Sequence, residues 1–397
     1  MQHREPLAGK RTFLFCSSTI LYPPLLRVAE IIAHDHGLEG HVVAPEEFPV
    51  PSHSPPLWGL PGEAISSGMR LPVHLLPGRG GEVGRLGLAP GPLTRLLAQL
   101  DPDYIWINEE FWQGISHQIL WHYRFRRRPR LAAYAVANHI QQATPLFSWK
   151  SPFFSRTRLQ QLILWPRLDA VMACSDKSRE CARRMGLPGK VPVVVNYLPV
   201  LGPEDAAGEG MELPWPRGDS FVIGFAGLLS EQKGWKVLLG AVELLPPRFK
   251  VVLAGDGGQR RQLEAWLNRP GLRGRAHYAG LLPHKQLLAS YPQFDVLVLP
   301  SRTTPYSVEQ FGMVLAEAMA CGVPVIGSDS GAIPETIGDA GLVVPEGDAA
   351  ALAQAILKMS ADEDLRRQAR ARGLERFRSH YSCESYARSL AEILVHS

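Results

Sequence analysis

The sequence predicts two doubly wound α/β domains, each a parallel sheet with helices on both faces, set across a cleft. Three observations predict it. Short apolar runs alternate with helix-spaced segments through residues 1–200, as β-α units do. Composition then shifts over 201–219, "LGPEDAAGEGMELPWPRGD", to that of a linker. At 220 the same alternation restarts and runs to 380. A chain of 397 residues is also longer than one hydrophobic core usually organises.

Each element follows in order. "RTFLFCSS" (11–18) reads as a strand, "LLRVAEIIAHDH" (25–36) has helical spacing, and "HVVAPE" (41–46) is a strand again. Residues 49–93 are rich in Pro, Gly and Ser, with a short strand around "LPVHLLP". "LTRLLAQL" is a helix, "YIWINEE" (104–110) a strand and "QGISHQILWHYRF" a helix. "RLAAYAVAN" (130–138) and "LDAVMACS" (168–175) are strands, "KSRECARRMG" a helix, and "VPVVVN" (191–196) closes the domain.

The second domain strings "FVIGFAG", "FKVVLAGDG", "AHYAGLL", "DVLVLPS" and "VPVIGSDS" as strands. Between them lie the helices "KVLLGAVELL", "QRRQLEAWLN", "HKQLLASY" and "GMVLAEAMACG", with "ALAQAILKM" after the last strand. Residues 381–397 form a final helix, expected to pack back on the first domain.

Composition excludes several classes. Hydrophobic content of 45% and charged content of 20% describe a globular chain, not a disordered one. A formal net charge of +4 names no partner. Five cysteines (Cys16, Cys174, Cys181, Cys321, Cys383) form no C-x-x-C and read as small buried residues in a reducing compartment. "TFLFCSSTILYPPLL" is too short and broken to span a membrane and has no small-residue cleavage site. The expectation is a cytoplasmic protein.

The common cofactor motifs are absent. "GFAGLL" and "AGDGGQRR" follow strands, yet neither is G-x-G-x-x-G, and no acidic residue follows at the distance that ribose binding needs. That disfavours a nicotinamide cofactor. There is no G-x-x-x-x-G-K-[ST]. "DPD" (101–103) precedes a strand instead of leaving one, so it reads as a turn. The two imidazoles of "HDH" (34–36) point to different helix faces. Neither a metal nor a resident cofactor is expected.

The chemistry concentrates in "VLVLPSRTTPYSVEQFGMVLAEAMACG". Its strand ends at Pro300 and its helix begins near Phe311–Gly312. The first-turn N–H groups of Gly312, Met313 and Val314 carry the partial positive charge of a helix terminus and suit a diphosphate. Glu309 lies just ahead of that helix. Glu317 lies about a turn and a half inside, placed to accept hydrogen bonds from ribose hydroxyls.

These residues resemble the E-x7-E motif (Glu309, Glu317) of the family-4 retaining glycosyltransferases, which have the GT-B fold. "GFAGLLSEQKGWKVLLGA" (224–241), "VVLAGDGGQRRQLE" (251–264), "HYAGLLPHKQLLASYPQFDVLVLPS" (277–301) and "GAIPETIGDAGLVVPEGDAAALAQAI" (331–356) extend the resemblance over about 175 residues in order. It implies that Glu309 contacts the donor sugar, Glu317 the ribose and Lys233 the diphosphate. Gly227, Gly255, Gln310, Phe311, Gly312, Met313 and Val314 complete the donor site, and Gly280, Leu281 and Leu282 face the base through backbone contacts. One departure stands out. The family has an arginine where this chain has Leu228, and Arg302 in "PSRTTP" is the substitute considered. The implied mechanism is metal-independent front-face displacement with retention.

In the first domain the family's Gly-rich loop is replaced by "SSTILYPP". "DPDYIWINEEFWQGISHQI" makes Asn108, Glu109 and Glu110 acceptor-side candidates, and "YAVANHIQQATP" adds Asn138 and His139. His139 is the candidate polar group at the acceptor. His117 is its competitor, although its helical setting favours a structural role. From 111 to 168 there is no Asp or Glu, yet nine basic residues occur: Arg124, Arg126, Arg127, Arg128, Arg130, Lys150, Arg156, Arg158 and Arg167. Aromatics interleave them. A solvated basic face accounts for such a stretch, and so does contact with anionic membrane lipid or a lipid-diphosphate acceptor; no nucleic-acid motif accompanies it. That gives an expected location at the inner face of the plasma membrane.

The expected function is transfer of a sugar from a nucleotide sugar to a glycan, lipid-linked or small-molecule acceptor. The alternatives are a degenerate nucleotide- or glycan-binding protein, and an epimerase or phosphorylase of the same architecture.

Overall fold

A computed structural model describes residues 10–17, 22–46, 70–79, 87–110, 114–126, 128–135, 163–305 and 307–396; for Glu109 and Glu110 it describes the backbone alone. The first domain holds strands β1 (Thr12–Cys16), β2 (Glu39–Pro45), β3 (Val73–Leu76), β4 (Gly78–Arg79), β5 (Gly87–Leu88), β6 (Tyr104–Glu110), β7 (Arg130–Ala135), β8 (Ala170–Ala173) and β9 (Val193–Val195). Seven of them form one parallel sheet in the order β3-β2-β1-β6-β7-β8-β9, while β4 and β5 make a small antiparallel ribbon. In register, Phe13 of β1 faces Gly40 of β2 on one side and Tyr104 of β6 on the other.

The second domain is built from β10 (Phe221–Ala226), β11 (Phe249–Ala254), β12 (Ala276–Gly280), β13 (Val296–Leu299), β14 (Val325–Ser328) and β15 (Gly341–Val344). All pair in parallel, in the order β12-β11-β10-β13-β14-β15. Counted within the domain this is 3-2-1-4-5-6, the doubly wound order. Helices on both faces cover the central strands, so β10, β13 and β14 are buried throughout.

The helices of the first domain are α1 (Pro23–Asp35), α2 (Pro90–Leu100), α3 (Gly114–His122) and α4 (Asp176–Arg184). The second domain adds α5 (Trp235–Leu244), α6 (Arg260–Leu267), α7 (His284–Ser290), α8 (Met313–Ala320), α9 (Ile333–Ile337), α10 (Ala349–Ala361) and α11 (Glu363–Arg376), with α12 (Cys383–Leu394) last. Helix α1 starts two residues before the spacing of "LLRVAE" predicts. Pro23 and Pro24 occupy its first turn, where a missing N–H breaks no bond.

Helix α12 crosses back to the first domain. Tyr386, Leu390 and Leu394 pack with Phe13, Phe15 and Trp106, and the Trp106 and Tyr386 rings lie 5.6 Å apart. A π-helical turn at Phe377–Tyr381 lets the chain change direction, anchored by Tyr381 O–H donating to Thr336 O at 2.7 Å. The segment with linker composition is held too. Leu201 and Met211 are buried, and Arg27 binds Asp205 (3.2 Å) and Glu384 (3.1 Å).

The domains also touch near the second sheet's loops. The Asp176 N–H at the start of α4 donates to both Glu335 carboxylate oxygens (2.9 and 3.1 Å), and Tyr197 O–H donates to Glu335 Oε1 at 3.0 Å. Lys177 Nζ donates to Gly331 O. The five cysteines are free thiols, and four of them are buried. Among the described residues no helix is long and apolar enough to cross a membrane.

Candidate donor-binding site

Strands β10 and β13 are neighbours whose following connections depart to opposite sides of the sheet. This switch point opens a crevice at their carboxyl ends. A cavity of about 380 Å³ lies there, within the size range of small-molecule sites. Its walls are the end of β10 with Gly227, Leu228 and Lys233, the end of β11 with Gly255, the loop at Leu281 and Leu282, and the segment Glu309–Glu317 leading into α8.

Glu309 is 6% exposed and heavily partnered. Its Oε2 accepts from Lys233 Nζ at 2.7 Å and from Ser301 Oγ at 2.7 Å. The Gly312 N–H also donates to the carboxylate. Burial acts to raise the pKa of this carboxyl. The Lys233 ammonium, with the hydrogen bonds from Lys233, Ser301 and Gly312, outweighs burial and takes it below the ordinary carboxylate value. Glu309 is therefore an anion at neutral pH.

Two glycines make this geometry possible. Gly312 caps α8 in the left-handed region, φ 86°, which turns its N–H toward Glu309. Gly331, φ 57°, lies so close under the loop that a Cβ there would stand 1.9 Å from Glu309 O.

Glu317 is 2% exposed, and both its oxygens are engaged. His284 Nε2 donates to Oε1 and Tyr291 O–H to Oε2, each at 2.8 Å. Burial lowers the His284 pKa, but the hydrogen bond to Glu317 and the nearby Glu317 and Asp205 charges prevail and raise it. The carboxylate is thus fixed in rotamer and presented at the cavity wall.

The structure gathers Gly227, Leu228, Lys233, Gly255, Leu281, Leu282, Glu309, Gln310, Phe311, Gly312, Met313, Val314 and Glu317 around one cavity. Three expectations need correction. Gly280 is not in the lining; it stands behind Gly255, accepting the Gly255 N–H at 2.7 Å. Arg302, considered as the substitute for the missing arginine, stands outside the lining. Its backbone N–H is held by Gln232 O at 2.6 Å, and its guanidinium lies 3.9 Å from Glu231. The Gly312 N–H, expected to face a diphosphate, is directed at the Glu309 carboxylate.

Asn108 is half-buried near the carboxyl end of β6, which Glu109 and Glu110 complete. Asn138 and His139 lie outside the described residues. His117 is mostly buried, which pushes its pKa down to about 4, and it lines a different groove.

Sequence reasoning missed His284, Tyr291 and Ser301. A signal existed for the first two: they are seven residues apart, two helical turns, and so fall on one face.

Residues 215–376 match the family model described as glycosyl transferases group 1. The chain is 31% identical over 176 residues to the 2-deoxystreptamine N-acetyl-D-glucosaminyltransferase of Streptomyces fradiae, covering 43% of this chain and 41% of that protein. It is 34% identical over 182 residues to O-antigen chain mannosyltransferase B of Escherichia coli, covering 45% of this chain and 44% of that one. The chain thus spans less than half the length of these curated relatives.

Among solved structures, HepE of Anabaena in complex with UDP superposes with a TM-score of 0.71 at 18% identity, over 97% of this chain and 100% of that one. A glycosyltransferase from Rickettsia africae does so with a TM-score of 0.70 at 15% identity, over 98% and 100%. The second domain matches the glycosyl transferases group 1 model, and nearly all of the chain shares the two-domain GT-B fold of these solved structures.

Proposed function

We propose that the protein is a retaining, metal-independent glycosyltransferase of the family-4 type. It moves a sugar from a nucleotide sugar to a glycan, lipid-linked or small-molecule acceptor in polysaccharide or glycoconjugate assembly. One observation carries this reading: Glu309, Lys233 and Glu317 converge on one cavity at the switch point of a group 1 domain. The UDP bound by HepE makes a uridine nucleotide the first donor to try.

In this reading the diphosphate lies by Lys233, whose Nζ reaches the cavity while paired with Glu309. The ribose hydroxyls donate to the Glu317 carboxylate, which His284 and Tyr291 hold in place. The bond from the anomeric carbon to the diphosphate oxygen breaks, and its electron pair leaves with the diphosphate. The acceptor oxygen bonds to the same face, and its proton passes to the departing oxygen. Anionic Glu309 lies where positive charge develops on the sugar, and Lys233 offsets the charge gathering on the diphosphate.

Leu228 favours a second reading, a protein that binds nucleotide without turnover, because it puts an apolar side chain where a phosphate-binding cation was expected. A panel of nucleotide sugars separates the two. Thermal stabilisation identifies the donor by mass action. Nucleoside diphosphate release then supports the transferase, and stabilisation without release supports the binding protein.

A further inference from the structure

A second groove, about 720 Å³, runs between α2 and α3 on the first domain. Leu93 and Leu97 of α2 wall one side, and Trp121 of α3 the other. Its rim carries three large apolar side chains that are exposed: Trp121 at 53%, Phe125 at 89% and Ile163 at 46%. Scattered apolar residues are ordinary on a surface, but three that line one open groove mark a candidate interaction site.

The charge of this face is one-sided. Arg124 lies over the Trp121 ring at 4.2 Å and the Phe125 ring at 5.1 Å, and Arg126 lines the same groove. Among the described residues no Asp or Glu contributes to the lining. Two other arginines of the stretch do structural work: Arg128 pairs with Asp169 at 2.6 Å, and Arg167 donates to Tyr123 O at 2.7 Å. Arg124 and Arg126 put their charge beside the exposed aromatics.

We propose that this face is a docking surface for an anionic lipid bilayer, with Trp121, Phe125 and Ile163 entering the interface and Arg124 and Arg126 meeting the lipid phosphates. Charge complementarity selects an anionic partner. The aromatic rim selects a bilayer, since a Trp ring placed between apolar and polar surroundings settles at the headgroup level, and cations beside it add attraction to acidic lipid. The surface is independent of the donor-site reading and is tested without donor.

Vesicle co-sedimentation decides it, with phosphatidylglycerol–phosphatidylcholine vesicles against phosphatidylcholine alone, at low and high salt. The wild-type protein binds the anionic vesicles, and salt weakens the binding. R124E/R126E loses at least about 25-fold in partitioning, roughly a factor of five per basic residue. W121S/F125S loses binding at every salt concentration with an unchanged thermal melt, since both positions are surface ones. Brominated lipid quenches wild-type tryptophan fluorescence more than that of W121F. Absence of binding, equal binding by the variants, or a concentration-dependent dimer abolished by W121S/F125S would each overturn the proposal. The last would make the face a contact between copies of the chain.

Discussion

Lys233 Nζ and Ser301 Oγ both lie 2.7 Å from the same oxygen of Glu309. The pair holds a buried carboxylate in its charged form. Lys233→Ala leaves that charge without its counter-ion, and because Lys233 is 23% exposed the cost falls below that of a fully buried pair, about 2–3 kcal/mol at neutral pH. The pH dependence follows from the sign of the shift. In the wild type the Glu309 pKa is lowered, so its contribution is present above the ordinary carboxylate value and is lost as pH falls through the folded value. In the variant burial acts without the ammonium, and Glu309 protonates more readily. The stability gap in urea unfolding is therefore widest at neutral pH and narrows toward acid. A gap independent of pH counts against this electrostatic account.

His284 carries the opposite dependence. Its pKa is raised through Glu317, so its contribution is complete below the unfolded imidazole value and is lost as pH rises through the folded value. His284→Gln narrows its stability deficit as pH climbs above that value. Denaturant titrations of both proteins at about pH 6 and pH 8.5 measure the difference, and a deficit that grows with pH refutes the assignment.

Leu228 lines the cavity beside Lys233. Leu228→Arg adds a fork of donors suited to phosphate. Calorimetry on the variant gives tighter nucleoside diphosphate binding by roughly tenfold, about 1.4 kcal/mol, with steeper salt dependence. Unchanged affinity would place the diphosphate elsewhere.

Glu335 receives the Asp176 N–H and the Tyr197 O–H from across the domain boundary. Glu335→Ala removes both acceptors and favours an open arrangement. Small-angle scattering shows a larger radius of gyration, and kcat falls while nucleotide affinity changes by less than about threefold, since no cavity-lining residue is altered. An unchanged radius with weakened nucleotide binding would instead tie Glu335 to the donor site.

Much of the fold was legible because parallel strands covered on both faces read as continuous apolar runs. "YIWINEE" occupies the 104–110 it was assigned, and the order of β-α units sets the doubly wound topology. Glu309 and Glu317 stand out in the sequence by their place around the start of a helix, and both line the cavity. Their partners do not stand out in this way. His284 lies 33 residues before Glu317 and Lys233 lies 76 before Glu309, and such pairings leave no local pattern. Arg302 is in a suitable loop, but its N–H bonds Gln232 O and its guanidinium lies 3.9 Å from Glu231, a pairing distant in sequence. The left-handed Gly312 cap, which directs an N–H at Glu309, likewise arises from the tertiary fold and not from a local pattern.

The most direct measurement is nucleoside diphosphate release from the best-stabilising nucleotide sugar by wild type, Glu309→Gln and Lys233→Ala, with the fold of each checked by its thermal melt. The account predicts turnover by the wild type and a loss of about 100-fold or more in each variant, consistent with removal of one charge-stabilising group. Wild-type rates in either variant, or no release from any donor by the wild type, would contradict it.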